Sequence, residues 1–209
     1  MQTISRDDVV RMIRAASELI HANESQLSKL DSATGDGDHG TTICKVMEAA
    51  VAAAQAEPGN IAEVLGKVGW DVMCVDGGSA PPLLGSFFTG MSEGAAGKGN
   101  LDAAGLVVAL DAGITGIRQH SKAQVGDKTM MDALLPAIDA ARGAARSGKD
   151  VSTALREAAQ AAASGALATK EMVAKFGRAR NLGDRTKGHQ DPGATSVSYI
   201  FQGFADAVK

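Results

Sequence analysis

The sequence is poor in aromatic residues, which argues against a sheet-rich core, and it has no excess of positive charge, which argues against a nucleic-acid partner. Phe, Trp and Tyr make up 3% of the 209 residues. The core must therefore come from Ala, Leu, Val, Ile and Met, a composition that favours helices over sheets. Lys and Arg number 21 against 24 Asp and Glu, for a net charge of −3. No basic face is left for a nucleic-acid backbone, so we expect no nucleic-acid partner.

Cysteine and long apolar runs are also scarce. The only two cysteines, Cys44 and Cys74, are far apart and lie in no Cys-x-x-Cys or Cys/His cluster, which argues against a structural zinc and a disulfide framework. No apolar stretch reaches the roughly 18 residues of a membrane span, and no basic segment with an apolar run opens the chain. We expect a cytoplasmic protein that does not enter a membrane and forms one domain over residues 1–209.

Apolar residues recur at helical spacing through most of the chain. Polar residues of the capping-box type precede three apolar runs and predict helix starts; they are Ser5 with Asp8, Asn60 with Glu63, and Thr129 with Asp132. Helices are also predicted over Val151–Ala168 and over residues 195–204. With ordinary helix and loop lengths the chain holds about eight helices, so the expected fold is an all-α bundle or barrel.

Four loops between the helices concentrate Gly, Asp, Pro, Ser and Thr. They cover residues 31–42, 76–85, 126–129 and 183–195. A helical protein needs only short Gly or Asn stops at its turns, and these loops are longer and more acidic. We take them as the candidate site.

The first loop contains Gly35, Gly37 and Gly40, spaced as in the G-x-G-x-x-G dinucleotide motif. No apolar strand precedes them, and the intervening Asp36 and Asp38 would face a pyrophosphate without neutralisation, which argues against that motif. An EF-hand is also excluded, because the fifth and twelfth positions counted from Asp36 are Gly and Met.

A magnesium site explains the first loop better. Three acids, Asp31, Asp36 and Asp38, and His39 fall within nine positions. Carboxylate oxygens suit Mg²⁺, and clustered acids repel one another unless a cation lies among them. Two Mg²⁺ would leave a charge of +1, ready for a di- or triphosphate. The alternative is a solvated turn with Asp caps.

The other loops carry weaker signals. Small residues at 77–80 permit close backbone approach, and the amides and hydroxyls of Thr41 and Thr42 lie at an expected helix start, where phosphate oxygens bind. Residues 188–195 form either a type II turn or part of the site. Arg178 and Arg180 would pair with phosphate or simply with a carboxylate.

Taken together, these loops resemble the ADP-binding L subunit family of dihydroxyacetone kinase. Five motifs stand in the family's order over nearly the whole chain: Leu30-Asp31 with residues 35–40 (Gly-Asp-Gly-Asp-His-Gly), Gly77-Gly78, residues 126–130 (Gly-Asp-Lys-Thr-Met), residues 177–179 (Gly-Arg-Ala), and residues 188–196 (Gly-His-Gln-Asp-Pro-Gly-Ala-Thr-Ser). Five ordered motifs are far more specific than any one.

The resemblance implies a barrel of eight antiparallel helices with ADP and two Mg²⁺ ions at one end. It makes Asp31, Asp36 and Asp38 the metal ligands. The implied nucleotide contacts are His39, Gly40, Thr41, Thr42, Ser79, Ala80, Ser121, Met130, Arg178, Asp191, Pro192 and Gly193. Met130 would offer a soft surface to the base.

The resemblance also implies half an enzyme, either monomeric or homodimeric by itself. A separate K subunit holds the ketose covalently, and the L subunit delivers the phosphoryl group. In many members a multiphosphoryl protein of the phosphotransferase system recharges the bound nucleotide, while others use free ATP. No candidate sugar-binding domain is recognisable in the 209 residues, in keeping with the two-chain form.

The second loop departs from the family pattern. A small residue followed by Gly-Pro is expected, and this chain has Ala80-Pro81-Pro82. Pro81 removes an amide donor and Ala80 lacks a hydroxyl; Ser121 also stands where the family has glycine. A kinase for another ketose such as erythrulose therefore remains open. So does a nucleotide sensor that docks on a transcriptional regulator without chemistry of its own, and a metal-dependent phosphatase is the third hypothesis.

Overall fold

The computed structural model describes residues 1–208, and within them it contains nine α-helices and no β-strand. The helices are α1 (Arg6–Ala22), α2 (Glu24–Ser32), α3 (His39–Ala56), α4 (Ile61–Met73), α5 (Ala80–Ala95), α6 (Ala103–Arg118), α7 (Met131–Arg146), α8 (Val151–Ala168) and α9 (Pro192–Ala207). Two 3₁₀ stretches, Thr169–Glu171 and Arg178–Thr186, lie between α8 and α9. The predicted all-α fold is confirmed.

The polar residues that predicted helix starts act as caps in all three places. Ser5 with Asp8 and Asn60 with Glu63 form reciprocal capping boxes at α1 and α4. At the third start, α7 begins at Met131, one residue later than predicted. The Thr129 hydroxyl accepts the Met131 amide at 3.2 Å, and the carboxylate of Asp132 accepts hydrogen bonds from the amides of Gly126 and Thr129. Asp132 therefore folds the loop before α7 back onto the helix.

Eight of the helices form a closed ring. Each of α1, α3, α4, α5, α6, α7, α8 and α9 packs on the next, and α9 packs on α1. The short α2 lies outside this sequence and packs on α3 and α9. The ring agrees with the expected eight-helix barrel, with α2 as an addition.

Neighbouring helices of the ring run in opposite directions. At one end, the Met1 ammonium bonds to Asp150 before α8, Ile4 pairs with Leu101 before α6, and Arg6 donates to the Glu57 carbonyl shortly before α4. Helices α1, α4, α6 and α8 therefore begin at this end, which we call the capped end. Helices α3, α5, α7 and α9 begin at the opposite end, the site end. Helix α7 begins just after a predicted loop, and the other three begin within the last residues of theirs, so those loops are shorter than predicted.

The core is aliphatic, and close helix packing accounts for many of its glycines. Phe88 and Phe201 are the largest fully buried side chains among mainly Ala, Leu, Ile, Val and Met. Where α4 meets α5, a Cβ placed on Gly85 would stand 2.8 Å from the Gly69 carbonyl oxygen. Such an approach is shorter than van der Waals contact, so the two backbones can only meet at glycine. The helices thereby form a rigid frame for the loops.

Candidate functional site

A cleft of about 860 Å³ opens at the site end, within the range usual for small-molecule sites. Its walls come from the first turns of α3, α5, α7 and α9, from the preceding loops, and from the 3₁₀ stretch after Phe176. The ring thus brings together four loops that are up to about 160 residues apart in the sequence.

Nearly all the residues proposed from the sequence line this one cleft. They are Asp31, Asp36, Asp38, His39, Thr42, Ser79, Ala80, Ser121, Met130, Arg178, Asp191, Pro192 and Gly193. Their grouping follows from the ring, because each predicted loop ends on a helix that starts at this end. What each residue binds stays a prediction.

Gly40 and Thr41 are placed differently. Gly40 is buried against α2, near the backbone of Glu24 and Ser28, and has no room for a Cβ. The Thr41 hydroxyl donates to the Glu24 carboxylate at 3.1 Å. Any contact that these two residues make with a ligand would therefore come from their backbone amides in the first turn of α3.

The three acids of the first loop converge. One carboxylate oxygen from each of Asp31, Asp36 and Asp38 lies within 4.8 Å of the others. Gly37 has φ 81°, a left-handed conformation that glycine adopts without strain. It lets the chain reverse between Asp36 and Asp38. An all-oxygen donor set of this charge suits Mg²⁺, so these residues fit the implied metal.

Two of the acids already have protein partners. The Asp31 carboxylate accepts the His39 amide at 3.2 Å, which fastens the loop to the start of α3. Asp36 forms an ion pair with the exposed Arg178 of the 3₁₀ stretch. Arg178 thus supplies positive charge where the acids are most crowded.

Helices α3 and α5 begin at the cleft without a hydrogen bond to their own N-cap side chains. Neither Asp38 nor Ser79, the residues at their N-caps, makes a side-chain hydrogen bond to the first turn. The first amides of a helix have no partners within the helix, and the helix dipole favours an anion there. The combination suits a phosphate group.

His39 lies where the acidic loop meets α9. Its Nε2 is 3.2 Å from the Ser196 hydroxyl oxygen. Burial lowers the pKa of His39, although the Asp31 charge and a hydrogen bond with the Pro192 backbone act in the opposite direction. A neutral imidazole near pH 7 can orient a ligand through hydrogen bonds without adding a full charge.

Asp191 caps α9 on the opposite wall. Its carboxylate accepts the Ala194 amide at 2.7 Å. Burial raises the pKa of Asp191 to about 7, although the Ala194 amide and the Lys128 charge lower it. Gly193, two residues further on, lies close to Met130 across the cleft wall.

Sequence reasoning did not assign several lining residues. Thr34, Leu83, Ile117, His120, Phe176, Asn181 and Lys128 also face the cleft. Lys128 stands inside the quoted Gly-Asp-Lys-Thr-Met motif, so the motif itself was a signal for it. The apolar residues Leu83 and Ile117 belong to helical runs in which lining and core positions look alike.

In the described part of the chain no helix is long and apolar enough to cross a membrane.

Comparison with known proteins relates this chain to one family over nearly its whole length. The DAK2 domain model matches residues 33–206. The ADP-binding subunit DhaL of the PEP-dependent dihydroxyacetone kinase of Escherichia coli is 34% identical over 99% of both chains. The D-erythrulose kinase of Mycolicibacterium smegmatis is 31% identical over 96% of this chain and 35% of its own length.

Solved structures agree with this relationship. The dihydroxyacetone kinase of C. freundii in its native form superimposes with a TM-score of 0.75 at 26% identity, covering 99% of this chain and 35% of that one. Its complex with AMP-PNP and Mg²⁺ gives a TM-score of 0.73 at 25% identity, again over 99% and 35%. The chain therefore belongs to the DAK2 domain family, as its resemblance to the L subunits of dihydroxyacetone kinase predicted.

Proposed function

We propose that this chain is the nucleotide-binding subunit of a dihydroxyacetone kinase, which carries ADP or ATP with two Mg²⁺ ions and delivers a phosphoryl group to a ketose on a K-type subunit. One observation carries the proposal: three converging carboxylates stand at the start of α3, whose N-cap side chain makes no hydrogen bond to the first turn. Relatives named as ADP-binding subunits and a structural neighbour solved with AMP-PNP and Mg²⁺ support it.

The proposed ligands of the metal ions are Asp31, Asp36 and Asp38. Three carboxylates repel a nucleotide, whereas two bound Mg²⁺ ions would reverse the local charge and draw the phosphates in. Bound Mg²⁺ would supply the positive charge that phosphoryl transfer needs on the migrating group. The chain's own part is to hold the acids within 4.8 Å of one another.

Arg178 has two roles in this proposal. Without a metal it neutralises Asp36. A cation that binds to Asp36 competes with this ion pair and frees the guanidinium, whose planar donors suit phosphate oxygens. Metal binding would thereby prepare the 3₁₀ stretch to contact the nucleotide.

The remaining residues are assigned to two parts of the nucleotide, the phosphates and the nucleoside. We assign the phosphates to the first turn of α3, from His39 to Thr42, and to Ser79 and Ala80 at the start of α5. We assign the nucleoside to Ser121, Met130 and the segment of Asp191, Pro192 and Gly193. This division rests on the first-turn amides of α3, on the Ala80 amide at the start of α5, where Pro81 and Pro82 have none, and on the apolar side chain of Met130 in the cleft.

The chemistry asked of this chain is alignment and charge stabilisation. In phosphoryl transfer, positioned cations do most of the work and little covalent chemistry falls to the protein. No general base is assigned here, because the acceptor hydroxyl would lie on the partner subunit. His39, neutral and directed at Ser196, would orient the phosphates.

Calorimetry tests the central claim. ADP is titrated into the protein with Mg²⁺ and again with EDTA, and we expect the affinity to fall by orders of magnitude without metal. Asp76→Asn, which changes an exposed acid in the neighbouring loop outside the cluster, serves as the control and keeps wild-type binding. Equal binding in both buffers would contradict the proposal.

A coupled assay then identifies the activity. The protein is mixed with a cognate K subunit and dihydroxyacetone or erythrulose, with either free ATP or a phosphorylated phosphotransferase-system protein as donor. PEP-dependent relatives favour the second donor, and the D-erythrulose kinase makes erythrulose a second candidate substrate. Nucleotide binding without any sugar phosphate would instead indicate a sensor that docks on a regulator. Orthophosphate release without a sugar would indicate a phosphatase.

A further inference from the structure

Lys128 has an unusual backbone conformation beside the cleft. Its φ is 59°, and it is the only non-glycine residue of the described chain with a positive φ. This conformation costs an L-residue about 1–2 kcal/mol compared with the right-handed region. Such strain persists where surrounding contacts impose it, and it is concentrated at binding and catalytic sites.

The side chain of Lys128 supplies those contacts. Only 3% of the residue is exposed, and its Nζ donates to the carbonyl oxygens of Thr169, at 2.5 Å, and of His189. A buried lysine is rare unless its charge is partnered. Burial lowers the pKa of Lys128, but the charges of Asp191, Asp132 and Glu171 oppose that effect. The ammonium therefore joins the loop before α7 to the end of α8 and to the loop before α9.

Thr169 completes the connection from the other side. It is fully buried, and its hydroxyl accepts the amide of Asp191 at 2.8 Å while donating to the Ala166 carbonyl at 2.6 Å. The segment from His189 to Asp191 is thus held by Lys128 at one end and by Thr169 at the other. Pro192 and Gly193 follow at once.

These hydrogen bonds fix how the two segments assigned to the nucleoside, that of Met130 and that of Pro192 and Gly193, pack on each other. A Cβ placed on Gly193 would stand 3.6 Å from the Cβ of Met130. Met130 follows Lys128 by two residues, and Gly193 follows Asp191 by two. The two segments are therefore nearly in contact, and a shift of either loop would change the surface that they present to a ligand in the cleft.

We propose that Lys128 is a positioning residue for the nucleoside half of the ligand, which holds Met130 against Pro192 and Gly193 through the carbonyls of Thr169 and His189. This inference rests on the proposed nucleotide-binding function. It gives Lys128 no contact with the phosphates, which separates it from the lysines that bind phosphate in other nucleotide sites.

The test compares three probes on the full chain with saturating Mg²⁺: ADP, adenosine and pyrophosphate. Lys128→Met keeps the length of the side chain and removes the ammonium. We expect it to weaken ADP and adenosine at least about tenfold, the value of one or two lost positioning hydrogen bonds, and to leave pyrophosphate within about twofold. Lys175→Met is the control, since Lys175 pairs with Asp127 on the exposed side of the same loop; it should change none of the three.

A second pair of variants covers the case in which Lys128→Met does not fold. Thr169→Val removes the hydroxyl that accepts the Asp191 amide but keeps the carbonyl that accepts from Lys128, and Thr169→Ser keeps both. We expect the same selective loss of adenosine with valine and none with serine. Melting temperatures, measured with and without ligand, ensure that binding is compared in folded protein.

The outcomes separate the two proposals. Equal losses for adenosine and pyrophosphate, or no loss in folded variants, would overturn the role of Lys128 while ADP binding by the wild-type protein still stands. A wild-type protein that binds none of the probes would overturn the proposed function, and the role of Lys128 with it.

Discussion

The two ends of the helical ring begin their helices in different ways. At the capped end, α1, α4, α6 and α8 each start with a side chain that accepts a first-turn amide; these are Ser5, Asn60, Asp102 and Asp150. At the site end, the N-cap residues of α3 and α5 make no such bond, whereas the Thr129 hydroxyl accepts the Met131 amide at α7 and Asp191 caps α9.

This difference separates stability from function. A side-chain cap satisfies a free amide and stabilises a helix by about 1 kcal/mol. The site end forgoes much of that stabilisation and keeps amides and positive helix ends facing the cleft. A bound anion would complete the missing caps, so ligand binding should stabilise the protein chiefly at this end.

The carboxylates of the two ends also differ in their pKa values. Hydrogen bonds lower the pKa of Asp150 at the capped end. The bond from the N-terminal ammonium has the largest effect, and the bond from the Thr153 amide has the next largest. Burial raises the pKa of Asp191 at the site end. The Asp191 cap at the cleft therefore changes its protonation near neutral pH, whereas the Asp150 cap does not.

The sharpest test of the comparison removes one acid of the cluster. Asp38→Asn should weaken Mg²⁺-dependent ADP binding by at least about 100-fold, because even outer-shell changes at metal sites cost about 10–100-fold. The melting temperature of the free protein should stay constant or rise, since like charges are relieved. Calorimetry and thermal unfolding measure the two effects. A loss of stability that parallels the loss of binding would show that the site end also serves the fold.

The next test follows the pH dependence of Asp191. Its pKa is about 7 in the folded protein and 3.8 in an unfolded chain, so the folded state holds the proton more tightly. The stability due to this group is present below pH 4 and is lost as the pH rises to 7. Relative to Asp191→Asn, the wild-type melting temperature should fall by several degrees across that interval and level off above it. Parallel profiles would contradict the raised pKa.

Restoring a backbone amide at the start of α5 should strengthen ligand binding at the site end. Pro81 occupies the first turn and has no N–H to donate. Pro81→Ala and Pro81→Gly each return that donor, and one added hydrogen bond to a charged phosphate raises ADP affinity by up to about tenfold. The glycine variant should also lose about 1 kcal/mol of stability through its freer unfolded chain. A gain with glycine alone would assign the effect to loop flexibility.

The smallest effect is expected from a cap at the other end. Ser5→Ala removes the hydroxyl that caps α1 and should cost about 1 kcal/mol, a fall of roughly 2–4 °C in melting temperature for a domain of this size. Ser5→Thr keeps the hydroxyl and should stay close to wild type. ADP affinity should be unchanged in both variants, and a shift in it would mean that the two ends are coupled.

Local patterns predicted the parts of the fold that depend on neighbours in the sequence. The capping boxes at Ser5 and Asn60 and the helix over Val151–Ala168 were predicted correctly, because each depends on residues within a few positions. The start of α7 was predicted one residue too early, because the Asp132 carboxylate also accepts the Gly126 amide of the preceding loop. That choice depends on how the loop returns, which helix propensity does not describe.

The acidic loop could be proposed as a metal site from sequence, and Lys128 could not be assigned. Asp31, Asp36 and Asp38 are close in the chain, so their mutual repulsion is visible without a structure. Lys128 acts through Thr169 and His189, which are 41 and 61 residues away. The Gly-Asp-Lys-Thr-Met motif placed Lys128 near the candidate site, but a lysine in a polar loop is normally exposed, so the motif did not indicate that its side chain is buried.

Composition and spacing by themselves determined that this chain is helical, where most of its helices run, and which loops carry acids and glycines, because these properties arise over three or four residues. Tertiary structure alone decided that α3, α5, α7 and α9 begin at one end, that Arg178 meets Asp36, and that a buried ammonium joins three loops. Those contacts join segments distant in sequence, and only the closure of the ring brings them within a few ångströms.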